Sequence, residues 1–296
     1  MSAAAVNIQN RLDAEVKWPS TAQEPVEWND NPNSMTRRIN GESILLLGWG
    51  RAVLLQIAHP MVAEGVSQHS YFSKSTIARL KRTERTLGKM LEMTYGDRQQ
   101  AWAAASHIDQ IHAHINGHLS ESNGPYQVGQ EYSARMSDLL KWVHCTFVDS
   151  MLKIYELYVT PLSTAEKDLY VNEVSISGPM LGAPSGFYPT TYTELQTYLA
   201  EMLTSGKIVV SNKARDLEQY VLAPLIPLPI LDKLLNWYLL LPVCGLMPDF
   251  VRESYGLRWT NFDRKAWKFQ IWTYRHLLRP ILPKRVRRFP VAIKGA

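Results

Sequence analysis

Apolar residues along this chain recur mainly at helical spacing. The first apolar helix should begin around Gly41 to Ser43 and run through ILLLGWGRAVLLQIA, broken only by Arg51, Gln56 and small residues. His59-Pro60 should then bend or restart it, because the residue before a proline is pushed out of the α region. MVAEGVSQHSYF follows, and after a loop near residues 73–76 comes the strongly helical IARLKRTERTLGKMLEMTYG, with Gly96 in the position of a C-cap. The spacing predicts another helix from about Arg98 to Asn116, ended by Gly117, and a long one over Ser137 to Val159 opened by a Ser or Asp cap. Ser163 and Glu166 are spaced as a capping box for a helix reaching Val174. LGAPSGFYP, from Leu181 to Pro189, must be a loop. Thr191 to Glu194 opens the next helix, Lys213 to Leu222 forms another, and a last long one lies near Asn261 to Leu278. No regular series of short alternating segments is present, so the expected class is all-α. Residues 1–34 read as a polar, proline-containing irregular arm and residues 35–296 as a single helical domain.

Composition adds limits. With 296 residues and 46% hydrophobic content the chain can bury a substantial core. Cys145 and Cys244 are far apart, each in an apolar stretch, which fits buried thiols in a reducing compartment better than a disulfide framework. No CxxCH occurs, which argues against covalently attached haem. The first residues lack a basic flank followed by an apolar stretch and do not read as a secretory signal. Leu234 to Met247 is too short for a transmembrane helix and carries Pro242 and Gly245, while Ser43 to Val66 is interrupted by Arg51, Gln56, His59 and Glu64. The expected location is cytoplasmic. The net charge of +5 is concentrated near the C-terminus, in RHLLRPILPKRVRRFPVAIK. That segment reads either as a solvated face packed over the core or as a peripheral contact with an anionic membrane. No recognition motif accompanies the charge, so nucleic acid is not an expected partner.

Candidate chemistry centres on HIDQIHAHINGHL, which holds four of the eight histidines. At about 100° per residue, His107, His114 and His118 would lie within roughly 40° of one another on a continuous helix, with His112 about 140° from His107. Three readings follow. The face of three offers a non-haem metal site, although only Asp109 stands close by as a carboxylate. All four read equally well as ordinary histidines of an amphipathic helix. Alternatively, His112 is the axial ligand of a haem held in a slot between helices, with Arg79 and Thr83 sharing a face of the preceding helix at its edge. There is no GxSxG and no GxxxxGK[ST], and GWGRAV lacks the remaining features of a dinucleotide site. Cys244 reads as a structural thiol rather than a haem ligand.

The run GWGRAVLLQIAHPMVAEGVSQHSYF, followed by RLKRT, HAHING, SDLLKWVHCTFVDS, YVNE and LGAP, resembles the catalytic domain shared by the rubber oxygenases (latex-clearing proteins) and the fungal mpaB oxygenase. The resemblance covers roughly residues 35–260, with the motifs in the same order and at the same separations. It implies an all-α fold, a non-covalent haem b, and use of dioxygen to cleave carbon–carbon double bonds in isoprenoid chains. The family pattern H-x-x-[VI]-x-G falls on His112 to Gly117 and implies His112 as the proximal ligand; R-x-x-x-T falls on Arg79 and Thr83. Where the rubber oxygenases carry a lysine just before that threonine, this chain has Arg82, so a lysine-type distal cap is not expected. Trp142 and His144 are expected to pack against the haem-bearing helices. His59 and His69 are candidates for a propionate contact or a structural bond. Arg51, inside an apolar stretch, requires a buried anion, for which a propionate is suitable.

These readings converge on a helical bundle enclosing a haem pocket. The expected activity is a haem b-dependent oxygenase using dioxygen or peroxide on an apolar, unsaturated or isoprenoid-like small molecule. His112 is the iron ligand, Arg79 and Thr83 are the catalytic candidates, and Arg51, His59 and His69 are further cofactor contacts. The alternatives are a non-catalytic haem- or lipid-binding protein and a non-haem metalloenzyme on the His107, His114 and His118 face.

Overall fold

The computed structural model describes residues 20–25, 28, 30–69, 76–223 and 232–294, with the backbone alone at 76–79, 232 and 294. The fold is all-α, with one small sheet. Helix α1 (Met35–Asn40) leads into a 3-10 turn (Ser43–Gly48), α2 (Trp49–Ile57) and α3 (Pro60–His69). The chain bends by 106° at the His59-Pro60 break, as the proline requires. Next come α4 (Thr76–Tyr95), α5 (Arg98–Ala113), the strands β1 (Asn116–His118) and β2 (Glu131–Ser133), and α6 (Ser137–Tyr158). Helices α7 (Thr164–Ser175), α8 (Ser177–Met180), α9 (Tyr192–Thr204), α10 (Asn212–Val221), α11 (Asp232–Leu246), α12 (Asp249–Ser254) and α13 (Asn261–Thr273) complete the body. A π-turn (Tyr274–Leu278) and the short helices α14 (Arg279–Ile281), α15 (Lys284–Arg287) and α16 (Pro290–Lys294) close the described chain.

Helix α6 is the axis of the core. Thirteen of its 22 residues are buried, on all sides, which marks a helix surrounded by others rather than one lying on a surface. It packs against α2 and the 3-10 turn, and the fully buried Trp142 donates its indole N–H to the Leu55 carbonyl at 3.1 Å. Trp142 is therefore a packing residue, set against α2. Capping boxes at Asp97/Gln100, Ser163/Glu166, Thr191/Glu194 and Thr260/Asp263 fix the starts of α5, α7, α9 and α13. Each cap is worth about 1 kcal/mol. The long helix α6 departs from this pattern: its cap position is Met136, with no side-chain bond, and Ser137 is its first helical residue.

The histidine helix is shorter than its periodicity predicts. It ends at Ala113 rather than Asn116, because the Asn116 side-chain amide donates to the Ala113 carbonyl at 3.0 Å and the chain then turns into β1. Antiparallel pairing sets Gly117 opposite Tyr132. A Cβ at Gly117 would lie 3.3 Å from the Tyr132 hydroxyl, so the strand pair is close here because residue 117 has no side chain. Among the described residues no single helix is long and apolar enough to cross a membrane.

Candidate active site

A cavity of about 650 Å³ lies between α2, α4, α5, α6 and α7, with α1, α3, α8 and α10 also contributing to its lining. That volume falls in the range of roughly 300–1,000 Å³ usual for cofactor and small-molecule sites. Its walls are mainly apolar: Val53 and Ile57 from α2, Ile108 from α5, and Leu140, Val143 and Phe147 from α6. Polar groups enter at a few points, chiefly Arg82, Thr83 and Thr86 on α4, His112 on α5, His144 on α6 and Tyr188 in the loop after α8.

The meeting of α4 and α5 follows from the chain between them. Gly96 and the Asp97 cap make a tight turn, so the two helices pack antiparallel. Thr83 lies thirteen residues before Gly96 and His112 fifteen after Asp97, which sets them at about the same level of the hairpin. One turn before His112, the buried Asp109 carboxylate accepts from Arg135 Nε at 2.9 Å and Nη2 at 2.8 Å, and from the Ser20 hydroxyl at 2.7 Å. This clamp fastens the end of α5 that carries His112.

His112 is held as a neutral imidazole. Burial lowers its pKa to about 4; Asp109 pulls the other way, and Arg135 adds to the lowering. Its Nδ1 is buried, and among the described residues no group bonds either Nδ1 or Nε2. A buried ring nitrogen left unbonded is expensive to keep, and Nδ1 of His112 is such a group. His144 is likewise neutral, lowered by burial to about 3, with Nδ1 3.2 Å from the Ser177 hydroxyl and its ring tilted over Tyr188 at 4.3 Å. The Tyr188 hydroxyl is buried and has no partner among the described residues. Burial also lowers the pKa of Arg82, which nevertheless remains protonated as arginines do. Opposite in charge, the Glu173 carboxylate in the same wall accepts from the backbone N–H groups of Met35 and Thr36 at the start of α1.

The family model described as ER-bound oxygenase mpaB/B'/Rubber oxygenase, catalytic domain, matches residues 36–279. The chain belongs to this family. No curated protein and no solved structure matches it. Within the mpaB/rubber oxygenase domain the fold brings His112 and Thr83 to one cavity. Arg79 falls in α4, but its side chain lies outside the described residues.

The other expected cofactor contacts sit elsewhere. Arg51 does have a buried anion, but the anion belongs to the protein. Its guanidinium pairs with the Asp149 carboxylate at 2.8 Å and bonds the Ser150 hydroxyl at 2.6 Å and the Leu246 carbonyl at 2.8 Å. With those contacts it has no need of a propionate. His59 is buried beside Tyr126, whose hydroxyl is 2.8 Å from Nε2, and burial lowers its pKa to about 4. His69 Nε2 meets the Asn116 carbonyl at 3.2 Å. Each has a protein partner at Nε2, His59 Nδ1 is buried without one among the described residues, and neither histidine borders the cavity. The face of three histidines does not form: His107 and His114 are exposed, His118 sits in β1 at 3.7 Å from Glu131, and Asp109 is taken by Arg135. Among the described residues no cluster of three or more His, Cys, Asp or Glu is placed to hold a metal. Both cysteines are free, their thiols raised by burial to about 12 at Cys145 and about 11 at Cys244.

In the sequence His144 reads as a packing residue only, and Tyr188 is not singled out. For His144 a signal existed, since Leu140, His144 and Phe147 recur at helical spacing and share the cavity face of α6. Tyr188 sits in a loop, where no periodicity aims a side chain.

Proposed function

We propose that this domain is a haem b-dependent oxygenase acting on an apolar, unsaturated or isoprenoid-like small molecule. The observation that carries the reading is the neutral His112 ring in the wall of a large apolar cavity, with neither nitrogen bonded by the described residues. An imidazole in that state would serve as a nitrogen donor to haem iron, and the cavity is of suitable size and polarity for the macrocycle. Bound there, the iron would supply the activation of dioxygen or peroxide that no side chain in the wall can perform. Arg82 adds a permanent positive charge, and Thr83 and Thr86 add hydroxyls, at the face of α4 where a propionate or a polar end of the ligand would be met. The apolar walls from α2 and α6 exclude water and select a hydrocarbon-like substrate.

The test is a haem titration of the purified chain, followed by its Soret absorption. Wild type and the His107→Ala, His114→Ala and His118→Ala variants are expected to bind haem with the same spectrum, and His112→Ala is expected to lose or strongly alter it. Retention by the His112 variant would remove the assignment. Oxygen consumption by the loaded protein with unsaturated apolar compounds then separates an oxygenase from a protein that only holds haem or lipid.

A further inference from the structure

Charge is divided unevenly along this chain. Residues 261–294 contain ten Lys and Arg and a single acidic residue, Asp263, which gives +9 against a net charge of −4 for everything else. Asp263 is itself engaged, accepting from the Trp237 indole at 2.8 Å and capping α13.

The same segment exposes apolar side chains that the fold does not use. Phe262 and Phe269, two turns apart on one side of α13, are 69% and 63% exposed, and Trp272 is exposed beside them. Their rings form a surface row: Trp237 stacks on Phe262 at 5.6 Å, Phe269 on Trp272 at 6.4 Å, and Trp272 meets His276 at 5.9 Å. Leu234 and Leu239 of the adjoining α11 are exposed as well. From Tyr274 to Ile281 and from Lys284 to Arg287 no residue is buried, although Leu277, Leu278, Ile281 and Val286 belong to these stretches. Ile281 is 76% exposed.

This part of the chain is nevertheless fastened down. The Ser43 hydroxyl bonds the Val286 and Arg287 carbonyls at 2.9 and 3.0 Å, Phe289 N–H donates to the Gly41 carbonyl at 2.9 Å, and Arg279 pairs with Glu42 at 3.4 Å. The backbone is held against the body while leucine, isoleucine, phenylalanine and tryptophan face outward among lysines and arginines. A tail folded over the core would bury those side chains instead.

We propose that this face docks on the surface of an anionic lipid bilayer, with Phe262, Phe269, Trp272, Leu277 and Ile281 entering the headgroup boundary and the surrounding cations meeting lipid phosphates and carboxylates. Interfacial binding combines buried apolar area with attraction to anionic lipid, and this face presents both. Nucleic acid would satisfy the cations and leave the aromatic row without a partner. A second copy docking through the same patch would set +9 against +9. Residues 280–294 lie beyond the family match. The proposal is independent of the haem reading.

The full chain is tested by flotation with vesicles of phosphatidylcholine alone and of phosphatidylcholine and phosphatidylserine in equal parts. Two double variants separate the contributions: Phe269→Ser with Trp272→Ser keeps the charge, and Lys284→Glu with Arg285→Glu keeps the apolar surface. All four residues are exposed, and matching thermal melts verify that the fold is intact. Wild type is expected to float with the serine-containing vesicles only, less so as salt rises, and each variant to bind at least about tenfold more weakly. No flotation of the wild type, equal binding to both vesicle types, or normal binding by either variant would overturn the proposal. So would a wild-type dimer in sedimentation that the aromatic variant converts to monomer, because the face would then belong to a second copy.

Discussion

Replacing Asp149 by asparagine tests which anion Arg51 serves. The two side chains are 1% and 5% exposed, and the carboxylate also holds Lys153 and accepts from the Gln196 amide at 2.9 Å. Burial alone would raise the Asp149 pKa, but Arg51 and Lys153 outweigh it and hold the carboxyl below its ordinary value. An uncharged amide in its place would leave a buried guanidinium without its countercharge, a change that costs about 3–5 kcal/mol when one partner of a buried pair is removed. In a domain of this size each kcal/mol moves the midpoint by about 2–4 °C, so Asp149→Asn should lower Tm by roughly 6–20 °C. Arg51→Met combined with Asp149→Leu should recover much of the loss, since no charge is then stranded. The assay is thermal and urea unfolding of wild type, the single variants Asp149→Asn and Arg51→Met, and the double. A loss below about 1 kcal/mol in Asp149→Asn would refute the pairing. An Arg51→Met variant of normal stability that no longer binds haem would return Arg51 to the propionate.

Tyr188→Phe removes a buried hydroxyl with no partner among the described residues, so Tm should stay level or rise by a few degrees; a fall above about 1 kcal/mol would mean the hydroxyl is bonded after all. Acid should weaken the fold through His59: its pKa is lowered to about 4 in the folded chain and is near 6.5 when unfolded, so stability present above pH 6.5 is lost as pH falls towards 4, by about 2 kcal/mol at pH 5. His59→Gln should flatten that part of the urea midpoint against pH, and an unchanged slope would exclude His59 as its source. Asp109→Asn loosens the clamp one turn before His112 and should lower haem affinity while leaving the spectrum of the bound form unchanged; a shifted Soret band would mean that Asp109 touches the iron site directly.

Much of the helical framework could be read from local rules, because those rules act over a few residues. The His59-Pro60 bend, the turn at Gly96 and the boxes at Ser163 and Thr191 all depend on neighbours within four positions. The end of α5 could not be read in the same way. HAHING carries enough helical pattern to run on to Asn116, and the strand begins there because Tyr132, fifteen positions after Gly117, pairs with it. That one difference dissolved the face of His107, His114 and His118, which existed only on an unbroken helix.

Sequence by itself determined the class of the fold, the family, and that His112 stands apart from its neighbouring histidines. Which buried group meets which was decided by the tertiary structure. Arg51 plainly required an anion, and nothing local distinguishes a carboxylate 98 positions away on α6 from one supplied by a ligand. His59 went to Tyr126 and His69 to the Asn116 carbonyl for the same reason: hydrogen-bond satisfaction is a constraint on space, and contacts far apart in the chain leave no periodic trace in it. The cavity likewise depends on many helices closing around a common space, with His144 and Tyr188 turned into it by packing that no single segment encodes.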